Sequence, residues 1–81
     1  MAIAIVTGGA GGIGRATVEL FASEGAKVVI ADVADAAGEE LAASLGGNAV
    51  FRHTDVSSPA DMQAVVDLAV ERFGGLHIMF N

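Results

Sequence analysis

Residues 3–14 read IAIVTGGAGGIG, and this stretch decides the fold. The run from Ala2 to Val6 is apolar throughout, as is typical of a parallel strand covered on both faces. Five glycines follow within seven residues, and a helical pattern begins at once, with these residues spaced to share one helix face: Ile13, Ala16, Thr17, Leu20 and Phe21. Because a helix N-terminus offers unpaired backbone N–H groups and glycines let a ligand approach the backbone, this stretch predicts a phosphate-binding turn.

The rest of the chain alternates strand and helix patterns. The predicted strands after the first are Lys27–Ala31, Asn48–Thr54 and Leu76–Phe80, and the predicted helices are Gly12–Glu24, Asp35–Leu45 and a third from Pro59 to the Gly74-Gly75 pair. Ser58 can cap the third helix, and Asp61 is placed to complete a capping box with it. With right-handed crossovers, the order β-α-β-α-β-α-β predicts an α/β fold. We expect a Rossmann-like parallel sheet flanked by helices, the N-terminal half of a doubly wound fold with strand order 3-2-1-4.

The length and hydropathy of the chain bear on its domain organisation. Eighty-one residues suffice for one small domain and are few for a complete α/β enzyme. Fifty-three percent of the residues are hydrophobic, and the mean hydropathy is +0.60. Such apolar content in a short chain predicts that a covering surface is missing. We therefore expect residues 1–81 to be the N-terminal part of a single larger domain.

The charge pattern disfavours two classes of partner. Ten acidic and four basic residues give a net charge of −6, and the basic residues are scattered. Binding to nucleic acid or to an anionic membrane through electrostatics is therefore not expected. The absence of cysteine excludes disulfides and thiolate metal sites and fits the cytoplasm. No apolar run approaches the length of a membrane span, so we expect a soluble intracellular protein.

Polar side chains follow three of the predicted strands. Asp32 comes 18 residues after Gly14 and ends the second strand, where a carboxylate can accept hydrogen bonds from a ribose and repel a 2′-phosphate. Asp55 and Val56 end the third strand and could contact an adenine ring, although an aspartate before Ser58 can equally be a turn residue. Asn81 follows the fourth strand. Together with the glycines, these residues predict one ligand site at the carboxyl edge, with NAD favoured over NADP.

The glycine stretch itself has two alternative interpretations besides a dinucleotide site, a P-loop and a plain turn. The spacing Gly9-x-Gly11-x-x-Gly14 matches the general dinucleotide fingerprint, and Thr7-Gly8-x-x-x-Gly12-Ile13-Gly14 fits the strand-to-helix junction better. A P-loop is disfavoured because Arg15-Ala16 stands where lysine and a hydroxyl residue are required. A plain turn would not need so many glycines. His53 and His77 have no partners at metal-ligand or triad spacing, so we expect structural histidines and no metal site.

The motifs quoted above resemble those of the short-chain dehydrogenase/reductase family. The resemblance covers the whole chain and implies an oxidoreductase that transfers hydride between NAD and an alcohol or ketone substrate. It implies no catalytic residue within residues 1–81, because the family's serine, Tyr-x-x-x-Lys pair and later asparagine would follow Asn81. It also implies a homo-oligomer for the full-length protein. The candidate cofactor-binding residues are Gly8, Gly11, Gly12, Ile13, Gly14, Asp32, Asp55, Val56 and Asn81.

Two other functions remain open from the sequence. One is a non-catalytic dinucleotide-binding regulator of the same fold. The other is an S-adenosylmethionine-dependent methyltransferase, which also places a glycine turn after its first strand and a carboxylate after its second. The glycine stretch suits a methyltransferase poorly, because a pyrophosphate needs a helix N-terminus more than a sulfonium cofactor does.

Overall fold

Strands and helices alternate along the chain in the predicted order. A computed structural model describes residues 2–81. Its strands are β1 (Ile3–Thr7), β2 (Lys27–Asp32), β3 (Ala49–His53) and β4 (Ile78–Phe80), and its helices are α1 (Gly12–Ser23), α2 (Asp35–Ser44) and α3 (Pro59–Phe73). A short 3-10 turn, Gly46–Asn48, links α2 to β3. The predicted bounds agree to within two residues, and β4 begins at Ile78 instead of Leu76.

The four strands form one parallel sheet in the order β3-β2-β1-β4, which confirms the prediction. Ile3 pairs with Lys27, Val28 with Ala49, and Ala4 with Ile78. The chain therefore runs outward from β1 to β3 and then returns to the other side of β1. This reversal places a switch point between β1 and β4, where open α/β sheets bind ligands at the carboxyl ends of their strands.

Helices cover both faces of the sheet. On one face α1 and α2 pack on a core made of Val6, Val18, Val28, Ile30, Leu41 and Ala49. On the other face α3 packs on a second core made of Ile3, Ile5, Val29, Ala31, Val65 and Ala69. Successive strand residues point to opposite faces. Because helices cover both faces, both sets of residues in β1 and β2 are buried. This explains why these two strands are apolar without alternation.

The buried face of α1 agrees only in part with the predicted one: Phe21 packs against the core, but other residues of the predicted face do not. Gly14 and Val18 are the buried residues of this helix, whereas Ile13 and Leu20 are 78% and 56% exposed. The apolar pattern alone could not show this, because a glycine in the first turn carries no hydropathy signal. Gly14 lies against the backbone of Gly8 and Gly9 just after β1, where a side chain would not fit, and the helix face that contains Gly14 is the one that packs.

The start of α3 is only partly as predicted. The Ser58 hydroxyl accepts a hydrogen bond from the Asp61 backbone N–H at 3.2 Å, so Ser58 is the N-cap and Pro59 follows it. The reciprocal bond of a capping box is absent, because the Asp61 carboxylate accepts from the Asp55 N–H instead, at 2.9 Å. The helix ends at Phe73, and its C-cap, Gly74, has a left-handed φ of 92°. Asp61 thus connects α3 to the turn that follows β3.

The described residues contain neither a candidate membrane-spanning helix nor a candidate metal site. No helix within residues 2–81 is long and apolar enough to cross a membrane. Within the same residues, no group of three or more His, Cys, Asp or Glu side chains is placed to hold a metal ion.

Candidate functional site

The carboxyl edge of the sheet brings all the candidate residues together. Because the strands are parallel, the glycine loop after β1, Asp32 at the end of β2, the Asp55-Val56 turn after β3 and Asn81 after β4 lie along the same edge. A wide surface groove of about 480 Å³ lies elsewhere, along β3 and the C-terminal half of α2, and none of the candidate residues lines it. The residues predicted from the sequence therefore share one edge, in the spatial order of the strands.

The loop between β1 and α1 is shaped by glycines at two kinds of position. Gly8 and Gly12 have φ angles of 66° and 56°, which side-chain-bearing residues rarely adopt, and a Cβ on either would meet no atom within 4 Å. Gly14 is different, because a Cβ there would overlap the backbone carbonyl of Gly8. The first turn of α1 therefore lies directly against the end of β1. Gly8 and Gly12 leave open space beside the backbone of the loop.

The N-terminus of α1 offers backbone donors to a ligand. The N-cap, Gly11, provides no side-chain acceptor, and the first turn contains no acidic residue. The Arg15 N–H is bonded to the Gly11 carbonyl at 3.2 Å, so the N–H groups before it have no acceptor within the helix. These belong to Gly12, Ile13 and Gly14. With the positive end of the helix dipole, they make an anion site of the kind that binds phosphate groups.

Asp32 is bonded to the backbone on both of its carboxylate oxygens. Oδ2 accepts from the Ala10 N–H of the glycine loop at 3.0 Å, and Oδ1 accepts from the N–H groups of Val33 and Ala34 at 2.7 and 3.1 Å. The side chain therefore ties the glycine loop to the turn between β2 and α2. A carboxylate offers about four lone-pair positions, and three are used, so it can still accept from a ligand hydroxyl. Sequence reasoning placed Asp32 at this edge but did not predict its bond to the loop.

Asp55 organises the turn that follows β3. Its Oδ1 accepts from the Ser57 hydroxyl at 2.6 Å and from the Ser57 N–H at 2.9 Å. These hydrogen bonds, the hydroxyl's first, lower the pKa of the Asp55 carboxyl from its ordinary value. The structure thus supports the turn interpretation of this residue and leaves Oδ2 available to a ligand. Val56 beside it is 60% exposed.

The Thr7 hydroxyl links the ends of the neighbouring strands β1 and β4. It lies 3.2 Å from the Phe80 carbonyl oxygen and 3.4 Å from Asn81 Oδ1. Asn81 is thereby held beside the start of the glycine loop. The sequence motif includes Thr7 but does not reveal its contact with β4, which joins residues 73 and 74 positions apart in sequence.

Each histidine has one structural partner. His77 accepts a hydrogen bond from the Ile3 N–H on Nδ1 at 3.0 Å, where β4 joins β1, and this confirms a structural histidine. His53 Nδ1 lies 2.6 Å from Asp35 Oδ1, and both side chains are exposed by more than half. The hydrogen bond to Asp35, followed by the charge of Asp35, raises the pKa of His53 above its ordinary 6.5. The sequence contained no signal for this pair, because the two residues meet only through the pairing of β2 with β3.

Comparison with known proteins identifies the family. The sequence profile described as short chain dehydrogenase matches residues 2–81. Tropinone reductase-like 1 from Erythroxylum coca is 54% identical over 79 residues, which are 98% of this chain and 29% of that protein.

Solved structures of complexes share the fold. A 3-ketoacyl-(acyl-carrier-protein) reductase from Brucella melitensis complexed with NADH has a TM-score of 0.93 and 37% identity, covering 96% of this chain and 32% of that one. A short chain dehydrogenase/reductase from Burkholderia phymatum in complex with NAD has a TM-score of 0.92 and 40% identity, covering 96% of this chain and 29% of that one. The chain spans less than a third of the length of each of these relatives. It belongs to the short-chain dehydrogenase family of oxidoreductases.

Proposed function

We propose that this chain binds NAD(H) along the carboxyl edge of its sheet. In the full-length protein it would be the cofactor-binding portion of an oxidoreductase that transfers hydride between NAD and an alcohol or carbonyl substrate. One arrangement carries the proposal: the Asp32 carboxylate is fixed beside an open glycine loop that leads into the uncapped N-terminus of α1. The relatives named above are a reductase-like protein, a reductase and a dehydrogenase/reductase, and these names favour neither a regulator nor a methyltransferase.

The glycine loop fits the pyrophosphate of a dinucleotide. A Cβ at Gly8, Gly11 or Gly12 would lie in open space. These glycines therefore leave room for a phosphate to reach the backbone. The donors of Gly12, Ile13 and Gly14 would then bond to phosphate oxygens at the positive end of the helix. We assign the pyrophosphate to this loop because no other strand end in the described sheet leads directly into a helix N-terminus that lacks a side-chain cap and is built from glycines.

Asp32 would bind the adenine ribose and select NAD over NADP for two reasons. A 2′-phosphate would place negative charge against this carboxylate, and residues 8–14 contain no basic residue to offset the repulsion. The backbone donors of the turn, Val33 N–H and Ala34 N–H, could otherwise bind a phosphate, but Asp32 already occupies both. Arg15, the nearest cation in sequence, lies 3.6 Å from the Glu19 carboxylate.

The adenine ring would lie between the turns that follow β2 and β3. Val33 and Val56 are 59% and 60% exposed, one in each turn, and apolar side chains suit the faces of a base. Asp55 Oδ2 could accept from an adenine amino group while Oδ1 stays bonded to Ser57. Asn81 would lie near the opposite part of the dinucleotide, where Thr7 holds it.

When bound, the nicotinamide ring supplies the hydride chemistry, and the residues of this chain bind and orient the cofactor. We place the catalytic side chains outside residues 1–81. The sequence contains no tyrosine, and its one lysine, Lys27, begins β2 at the opposite end of the sheet, where Nζ donates to Asn48 Oδ1 at 2.6 Å. For the full-length protein we also propose a homo-oligomer in the cytoplasm, on the family resemblance and the absence of cysteine.

An NADH titration of the ¹⁵N-labelled chain, followed by amide chemical shifts, tests the site. We expect saturable shifts at Gly12, Ile13, Gly14, Asp32 and Asp55. The amides of Lys27 and Asn48, at the opposite edge, serve as internal controls and should move little. Shifts confined to the opposite edge, or no saturable shift at millimolar NADH in a folded chain, would contradict the proposal.

A further inference from the structure

The Asp32 carboxylate holds the turn of Val33 and Ala34 at the end of β2, and a second contact holds the turn where α2 begins. Asp35 follows the turn as the first residue of α2, and His53 is the last residue of β3. Their side chains meet at 2.6 Å, Nδ1 to Oδ1. The turn is therefore fixed at both ends by side chains.

These contacts close a ring that begins and ends at Asp32. In the ladder between β2 and β3, His53 is the register partner of Asp32, and the Thr54 N–H donates to the Asp32 carbonyl at 2.9 Å. From Asp32 the ring continues through the turn to Asp35, across to His53, and back to Asp32 through the strand pairing. The N-cap of α2, Ala34, has no side-chain cap of its own, so the pair supplies the anchor that this helix end otherwise lacks.

We propose that His53 and Asp35 are a positioning pair that holds the turn, and with it the Asp32 carboxylate, in the geometry that receives the adenine ribose. This inference rests on the proposed function and adds two residues to it that touch no ligand. Without the pair, Val33 and Ala34 would rearrange and their N–H groups would leave Asp32 Oδ1. The carboxylate would lose its fixed orientation, and NADH would bind more weakly.

The pair is sensitive to pH. Asp35 from α2, Asp61 from α3 and Asp55 from the turn after β3 are the charged groups that face His53, and each raises its pKa, Asp35 the most. A raised folded-state pKa means that the charge-assisted contact contributes fully below the ordinary pKa of 6.5. The contribution is then lost as the pH rises through the higher folded value. The neutral ring can still donate from Nδ1, so the pair weakens at high pH without disappearing.

A double-mutant cycle tests the pair by its coupling. The variants are His53→Ala, Asp35→Ala and the double variant, with Asp67→Asn as a control that removes an exposed aspartate of α3. Each single change should raise the Kd for NADH about two- to fivefold at pH 6, as expected for an exposed ion pair. The double variant should be no weaker than the weaker single variant. His53→Gln, which keeps a side-chain donor, should recover part of the affinity, and Asp67→Asn should leave it unchanged.

Two readouts separate this inference from the proposed function. The first readout is the amide shifts of Val33 and Ala34, which are measured without cofactor and should move in His53→Ala and Asp35→Ala. The second is the coupling between the two changes, measured from the Kd values, which should shrink between pH 6 and pH 9. Effects that multiply independently in the double variant, or unmoved Val33 and Ala34 amides, would overturn the positioning role. If the unchanged chain binds no NADH, the proposed function fails, and the amide shifts alone decide whether the pair holds the turn.

Discussion

Replacing Gly12 with alanine separates the ligand role of the glycine loop from its structural role. Gly12 has a φ of 56°, and a Cβ there would meet no atom within 4 Å. Gly46, in the turn after α2, has a φ of 66° and the same open surroundings. The two positions therefore impose the same backbone strain on alanine, while Gly12 lies in the proposed cofactor site and Gly46 lies at the far end of α2.

The expected changes in unfolding free energy and in NADH affinity follow from these two glycine geometries. A left-handed conformation costs an L-residue roughly 1–2 kcal/mol, and the stiffer unfolded chain offsets about 0.4–1 kcal/mol of this. Both variants should therefore lose about 1 kcal/mol of unfolding free energy. The methyl group at Gly12 would also keep a phosphate from one backbone donor. A hydrogen bond to a charged group contributes about 1.5–3 kcal/mol, which corresponds to an affinity loss of about 10- to 150-fold.

Urea unfolding and NADH fluorescence give the two quantities. The chain contains neither tryptophan nor tyrosine, so the fluorescence of the bound cofactor is free of protein signal from these residues. We expect equal midpoints for Gly12→Ala and Gly46→Ala, and weak NADH binding for Gly12→Ala alone. If Gly12→Ala binds NADH as well as Gly46→Ala does, the phosphate does not contact this loop. If both variants lose NADH affinity to the same degree, the loss comes from the lower stability of the fold.

Three further predictions concern packing and pH. Gly14→Ala should destabilise the chain by about 3 kcal/mol or more, because its methyl would overlap a backbone carbonyl that cannot rotate away; a urea midpoint close to that of the unchanged chain would refute this. Gly38→Ala would place a methyl group against the Phe51 ring and lower the thermal stability. Adding Phe51→Leu should restore most of that loss, whereas additive losses from the two changes would contradict the contact between Gly38 and Phe51. The lowered pKa of Asp55 implies that its bonds to Ser57 stabilise the fold above pH 3.8 and fail as the pH falls through the lower folded-state value, so the stability difference between the unchanged chain and Ser57→Ala should shrink in acid.

The fold could be predicted from the sequence because its signals are local and agree with one another. Apolar runs, glycine stops and the Ser58-Pro59 start of α3 each fix one element, and handedness then leaves few topologies. The predictions that differ from the structure concern contacts that are decided by packing between elements. The buried face of α1 depends on Gly14, whose contribution is the absence of a side chain. Asp61 bonds to the Asp55 N–H because the turn after β3 folds back onto α3, a contact that spacing does not reveal.

The candidate site was predictable in its position and not in its internal bonds. The carboxyl ends of parallel strands meet at one edge, so Asp32 and Asn81 could be placed there from strand order alone. The bond from Ala10 to Asp32 and the contact between His53 and Asp35 depend on loop conformation and strand register. Such contacts join residues 18 and 22 positions apart in sequence, where no short-range pattern applies.

The proposed role of Asp32 in the NAD site is tested most directly by a parallel titration of the chain with NADH and NADPH, followed by cofactor fluorescence. We expect saturable NADH binding that is at least about tenfold tighter than NADPH binding, because a 2′-phosphate would meet the Asp32 carboxylate and find the turn's backbone donors occupied. Equal or tighter binding of NADPH, or a folded chain that binds neither cofactor, would contradict that role.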